Sequence, residues 1–191
     1  MYNADLLKEL DEQINRVIYV KIISLDYNES PRETIEGRAT SGSINIDGAS
    51  AVRRTCQLTL VTDTLNISDY YWTLKTKFKV QVGIERNSTG EIIWFEQGTF
   101  VISSFSTAYS SNNYTVNISG KDKMCMLNGE LGGVINSSLV LDTYDQILMP
   151  GVTKKIKNPI KQIIRDLVHQ YGGEPFHNII INDLDIKGME L

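Results

Sequence analysis

Residues 77–120 constrain the fold of this chain more than any other stretch, because their apolar residues recur with a period of two through three successive runs. Phe78, Val80, Val82 and Ile84 alternate with Lys77, Lys79, Gln81 and Glu85, the pattern of a strand buried on one face. Arg86-Asn87-Ser88-Thr89-Gly90 reads as a hairpin loop, since Asn and Gly tolerate the positive φ that tight turns need. Residues 92–102 are dense in aromatic and β-branched side chains and are interrupted by Gly98, which marks a bulge or a close backbone approach. Residues 110–113 turn the chain again, and Tyr114, Val116 and Ile118 alternate with Thr115, Asn117 and Ser119. The stretch is an antiparallel meander, with Val80, Val82, Ile84, Phe100, Ile118 and Trp94, or Phe95 in its place where that ring faces inward, predicted in the core.

Shorter elements surround it. Residues 17–25 form a strand with Ile18, Val20 and Ile22 on one face, and residues 27–34, polar and containing Pro31, read as a loop. Residues 35–47 are rich in Gly and Ser, yet Ile44 and Ile46 alternate with Asn45 and Asp47, which predicts a strand poorly anchored at its start. Cys56, Leu58 and Leu60 mark another strand. Arg53 and Arg54, just ahead of it, point to opposite faces, and exposed ion pairing is expected of them. Tyr70, Tyr71 and Trp72 sit in a connector and are expected to pack on the sheet edge. Residues 120–129 read as a one- to two-turn helix ending at Asn128-Gly129. Asn158-Pro159 opens the clearest helix, with an apolar face of Ile160, Ile163, Ile164, Leu167, Val168 and Tyr171 and a Gly172-Gly173 stop. Ile179, Ile180 and Ile181 begin a strand.

At the other end, Asn3 caps a short helix whose stripe of Leu6, Leu7, Leu10 and Ile14 needs a surface to bury it. That surface is either the domain's own sheet or a neighbouring subunit, and the sequence leaves both open. The predicted organisation is a helical arm over 1–16, a β domain over 17–150, and the helix and strand that start a further α/β piece over 151–191, with the polypeptide expected to continue past Leu191. The predicted class is mainly β (α+β), an antiparallel β-barrel or sandwich with short helices.

Composition narrows the function. At 191 residues, 41% hydrophobic and 22% charged, the chain is ordinary globular material. Its net charge of −4 with scattered Lys and Arg lacks the footprint of a nucleic-acid binder. No apolar run approaches the ~20 residues of a membrane-spanning helix. Cys56 in a strand and Cys125 in a helical turn are predicted to be buried thiols. His169 and His177, split by a Gly-Gly break, fit no metal spacing. Asp142 with Asp145, and Asp183 with Asp185, lie neither in a calcium loop nor beside a nucleophile. No catalytic set is legible, so no enzyme activity, cofactor or metal is predicted.

Three stretches carry a resemblance. They are residues 37–48 leading into Arg53-Arg54-Thr55-Cys56-Gln57-Leu58-Thr59-Leu60; Phe78-Lys79-Val80-Gln81-Val82-Gly83-Ile84 with Trp94-Phe95-Glu96-Gln97-Gly98-Thr99-Phe100; and Gly120-Lys121-Asp122-Lys123-Met124 with Leu127-Asn128-Gly129. In this order, over about residues 17–130, the chain resembles tailed-bacteriophage baseplate and hub proteins whose first domain has the tail-tube fold. The resemblance implies a structural virion protein of the tail baseplate, assembled in the host cytoplasm. Its partners would be other tail and baseplate proteins and further copies of itself in a ring, with DNA passing the lumen without specific binding. Ile44 and Ile46, with Leu6, Leu7, Leu10 and Ile14, are the predicted assembly residues. A second reading, a β-sandwich carbohydrate- or protein-binding module of a tail appendage, would use Tyr70, Tyr71, Trp72 and Trp94 as stacking platforms.

Overall fold

The alternating segments become strands of one curled sheet. The computed structural model describes residues 17–86, 89–132, 145–149, 152–155 and 159–181. Among them six strands close an antiparallel barrel in the order β1-β2-β3-β6-β5-β4. They are β1 (Ile18–Leu25), β2 (Pro31–Ile46), β3 (Arg54–Thr62), β4 (Lys77–Glu85), β5 (Ile92–Ser110) and β6 (Asn113–Lys121). The chain is mainly β, as the alternation predicts.

Two strands are long and turn corners. β2 pairs with β1 as far as Arg38 and with β3 from there to Ile46. β5 pairs with β4 up to Val101 and with β6 from there to Ser110. Just past each changeover the register shifts, between Ala39 and Ser41 and between Ile102 and Ser104. An extra residue in one strand bends it and raises its twist, and these two bulges let single strands serve both halves of the barrel. β2 also starts earlier than the sequence predicts: Pro31 and Thr34 pair with Leu25 and Ile23. Proline at the first position of a strand loses no ladder bond that the strand needs. The β5–β6 hairpin turns through Ser111 and Asn112, both at positive φ (51° and 66°), the two-residue geometry that matches strand twist.

The interior is filled by Val20, Ile22, Ile35, Cys56, Leu58, Leu60, Phe78, Val80, Phe100, Ile102, Val116 and Ile118, with Trp72 closing it from the 63–76 connector. Gly120 leaves room for aromatic packing, since a Cβ there would lie 2.6 Å from Phe78 Cζ. Of the predicted core, Val80, Phe100 and Ile118 are buried, while Val82 and Ile84 are half-buried. Trp94 is a correction. Another register shift leaves Gln97 unpaired, Gly98 opposite Val80 and Glu96 opposite Gln81. One extra residue inverts the alternation, so Phe95 shares Val82's side and Trp94 lies outside, opposite Gly83 and 4.0 Å from Lys21 Nζ.

Arg54 differs from expectation as well. Its Nη2 donates to the Gln97 carbonyl (2.6 Å), and its guanidinium lies 5.0 Å from the Phe100 ring. The bulge presents that carbonyl, so the side chain ties β3 to β5 instead of pairing with an acid at the surface. Outside the barrel, α1 (Met124–Leu127) covers a small cluster of Val52, Val101 and Cys125. Both cysteines are free and buried. Desolvation pushes the Cys56 thiol up to about 12 and that of Cys125 up to about 11, which keeps both protonated and unreactive at neutral pH.

Beyond the barrel, β7 (Asp145–Met149) and β8 (Val152–Lys155) pair as a hairpin across position 150, where the sequence suggests a domain boundary. α2 (Pro159–Gln170) follows, amphipathic as predicted, and a 3-10 turn occupies Phe176–Asn178. Residues 179–181 take no strand pairing among the described residues, which corrects the strand expected there.

Candidate functional site

The changeovers in β2 and β5 have a structural consequence. Past Arg38, β2 has β3 on one side and no described strand on the other; past Ile102, β5 stands in the same relation to β6. Half of the barrel is therefore a four-stranded sheet, β2-β3-β6-β5, with an edge at each side that no described strand covers. Eight extended residues at each edge span roughly 27 Å at ~3.4 Å per residue. The edge sequences are Ala39-Thr40-Ser41-Gly42-Ser43-Ile44-Asn45-Ile46 and Ser103-Ser104-Phe105-Ser106-Thr107-Ala108-Tyr109-Ser110, without a charge or a proline in either. Proteins that stand alone blunt their edges with those residues. At the tips, Ile46 is 76% exposed and Tyr109 62%.

A second constellation joins the barrel to the C-terminal segment through charge. Lys77 leaves the outer face of β4 and is only 8% exposed. Its Nζ donates to Glu29 (3.2 Å) and lies 3.8 Å from Glu174. Lys123, at the start of α1, donates to Glu174 (2.7 Å) and Glu29 (3.0 Å). Two cations and two carboxylates thus alternate, and Asn178 adds a bond to Glu29 (3.1 Å). Desolvation raises the Glu29 pKa, but the bonds from Lys123 and Lys77 outweigh it and leave the carboxyl below its ordinary range. For Lys123 desolvation lowers and the two carboxylates raise, with a net rise. Beside this network, His169 Nδ1 donates to the Glu174 carbonyl (2.8 Å), an assignment forced because a carbonyl only accepts. Tyr27 Oη lies 3.0 Å from the same nitrogen, and the imidazole stacks on Phe176 at 3.6 Å.

The predicted assembly residues fall in different places. Ile44 is half-buried against the core and Ile46 stands at the free tip of the same strand. Leu6, Leu7, Leu10 and Ile14 lie outside the described residues, as do Asp142, Asp183 and Asp185. His169 is engaged in packing and hydrogen bonding, and His177 is exposed in the 3-10 turn. The four aromatics of the binding-module reading do not meet: Trp72 is buried with its Nε1 bonded to Glu33 (2.9 Å), whereas Trp94 is on the outer face. Sequence reasoning missed the second edge, although the uncharged run over 103–110 was a readable signal. It also missed Glu29, Lys77, Lys123 and Glu174, which carry no local signature.

Among the described residues no three His, Cys, Asp or Glu side chains gather as metal ligands, and no helix is long and apolar enough to cross a membrane. No family model matches the chain, and no curated protein does. Among solved structures it is similar to a chain of the Francisella PdpA-VgrG complex in its lidded form, with 9% identity and a TM-score of 0.35 over 60% of this chain and 17% of that one. The lidless PdpA-VgrG complex gives 12% identity and a TM-score of 0.35 over 58% and 20%. The half-lidded Francisella complex gives 12% and 0.33 over 64% and 21%. This chain therefore spans about a fifth of the length of the chains it matches, and similarity at these scores carries no functional argument.

Proposed function

We propose that this chain is a structural, non-catalytic subunit of a phage tail baseplate, part of the hub or ring that continues the tail tube. The observation that carries the reading is the pair of uncharged edges, uncovered by any described strand, at opposite sides of one sheet. Such edges are templates for strand addition, in which backbone bonds give affinity and side chains give register. Joining the β2 edge of one copy to the β5 edge of the next is a head-to-tail contact, which closes into a ring when the rotation permits. A net charge of −4 suits a ring that lets DNA pass without holding it. The order of motifs over residues 17–130 supplies the tail context, and with it the placement in the virion and the neighbouring baseplate proteins as partners.

The test is incorporation. The wild-type chain is expected in purified tail particles at fixed stoichiometry, and the double variant Ile46→Lys with Tyr109→Lys is expected to fold but stay out of them. Both side chains are solvent-exposed, so the fold tolerates the change. Absence of the wild-type chain from particles, or incorporation of the folded double variant at wild-type level, sinks the reading.

A further inference from the structure

Although Trp72 and Trp94 are parted, the fold assembles a different aromatic site. The turn after β1, the start of β2 and the connector before β4 surround an open depression of about 400 Å³, within the size range of small-ligand sites. Its aromatic walls are Tyr27, Tyr70 and Tyr71. Tyr70 is 79% exposed, and its ring meets that of Tyr71 edge-on at 5.2 Å, so the two form a corner. Tyr27 comes from the turn after β1 and is held by its contact with His169.

The polar rim is equally organised. Asp26 Oδ1 accepts the Ser30 N–H (2.8 Å) and Oδ2 accepts Arg32 Nη2 (3.0 Å). Each carboxylate oxygen keeps a spare lone pair, and the guanidinium keeps further N–H donors. The hydroxyls of Thr73 and Thr76 bond each other at 3.1 Å on the same rim. A fixed carboxylate–guanidinium pair next to aromatic faces and hydroxyls matches a ligand with an apolar ring face and adjacent hydroxyl groups. We infer that this depression is a binding site for a neutral pyranose saccharide, stacked on tyrosine and held through vicinal hydroxyls by Asp26 and Arg32.

Neutrality follows from the rim, because an acidic sugar or a phosphate drawn to Arg32 would face the Asp26 carboxylate. A proline-rich peptide also docks on tyrosines, but its prolines carry no N–H, so it brings mostly carbonyl acceptors and few donors for Asp26. Binding here is a property of the single chain and is independent of the assembly role.

The experiment is saturation-transfer and chemical-shift NMR on the full chain with millimolar cellobiose, maltose and N,N′-diacetylchitobiose. At least one sugar is expected to receive saturation on its ring protons and to shift the ring resonances of Tyr27, Tyr70 and Tyr71. Tyr70→Ala and Arg32→Ala, both at exposed positions, are each expected to weaken that binding about tenfold or more with an unchanged circular dichroism spectrum. The inference is overturned by no response to any of the three sugars, by binding that survives both substitutions, or by a proline-rich peptide shifting these tyrosines where no sugar does.

Discussion

Gly98 holds the most consequential backbone conformation in the barrel. It sits at φ = 113°, a region L side chains rarely adopt, and a Cβ there would collide with Arg54 Nη2. Replacing it by Ala therefore brings two penalties, backbone strain of about 1–3 kcal/mol and displacement of the guanidinium from the Gln97 carbonyl. A double-mutant cycle with Arg54→Ala separates them by urea unfolding. Gly98→Ala is expected to cost clearly less in the Arg54→Ala background than in the wild type; equal costs would mean that the two residues do not act together. Phe100, wholly buried beside Phe78 and under Arg54, is expected to lose about 3–5 kcal/mol on replacement by Ala. An unchanged unfolding midpoint for Phe100→Ala would contradict its place in the core. The bulge also sets a limit on sequence reading. Gly98 was recognisable as a break, but its effect on the phase of Trp94 depended on whether Gln97 was looped out, and pairing decides that.

Among the elements, the strands of the meander were legible because each alternates over enough residues to reveal its period, and α2 because Pro159 and Gly172 punctuate an apolar stripe. The corners of β2 and β5 were not: a strand that changes partner keeps the same local pattern, and only the sheet shows where one neighbour ends and another begins. Least legible was the junction of Glu29, Lys77, Lys123 and Glu174, whose members come from four separate segments. Its pH dependence has a definite sign. Glu29 titrates below its ordinary 4.5 in the folded chain, so its contribution is complete above 4.5 and is lost as pH falls through the lowered value. Lys123 titrates above its ordinary 10.5, so its contribution is complete below 10.5 and is lost as pH rises through the raised value. The protection factor of the amides over 159–178, with the intrinsic pH dependence of exchange divided out, is thus expected to be high and flat between those limits and to fall at acid pH sooner than that of the barrel. Glu29→Gln should abolish most of the acid-side fall and lower the protection at neutral pH, because Lys77 and Lys123 then face an uncharged amide and Lys77 is left with the 3.8 Å ion pair to Glu174. A Glu29→Gln profile that overlays the wild type would show that the junction does not hold the segment.

For the whole molecule, the proposed assembly turns on how the two edges left uncovered by described strands would combine. Like-with-like pairing, β2 on β2 or β5 on β5, gives two-fold contacts; β2 on β5 gives a directional contact that propagates. The directional arrangement is what the proposed role requires, because a ring continuing a tube would need every subunit in the same orientation. Single variants at each tip decide it. Ile46→Lys places a charge on the β2 edge and leaves the β5 edge intact, and Tyr109→Lys does the reverse. If pairing is directional, neither variant assembles alone, because each lacks one half of the only productive contact. An equimolar mixture, however, retains one good β5 edge and one good β2 edge, and should sediment as a one-to-one dimer that grows no further. If pairing is like-with-like, one of the two variants dimerises by itself through its untouched edge, and mixing adds nothing. Sedimentation velocity on the two variants and their mixture distinguishes these outcomes, and two single variants that each assemble as the wild type does would remove both edges from the interface.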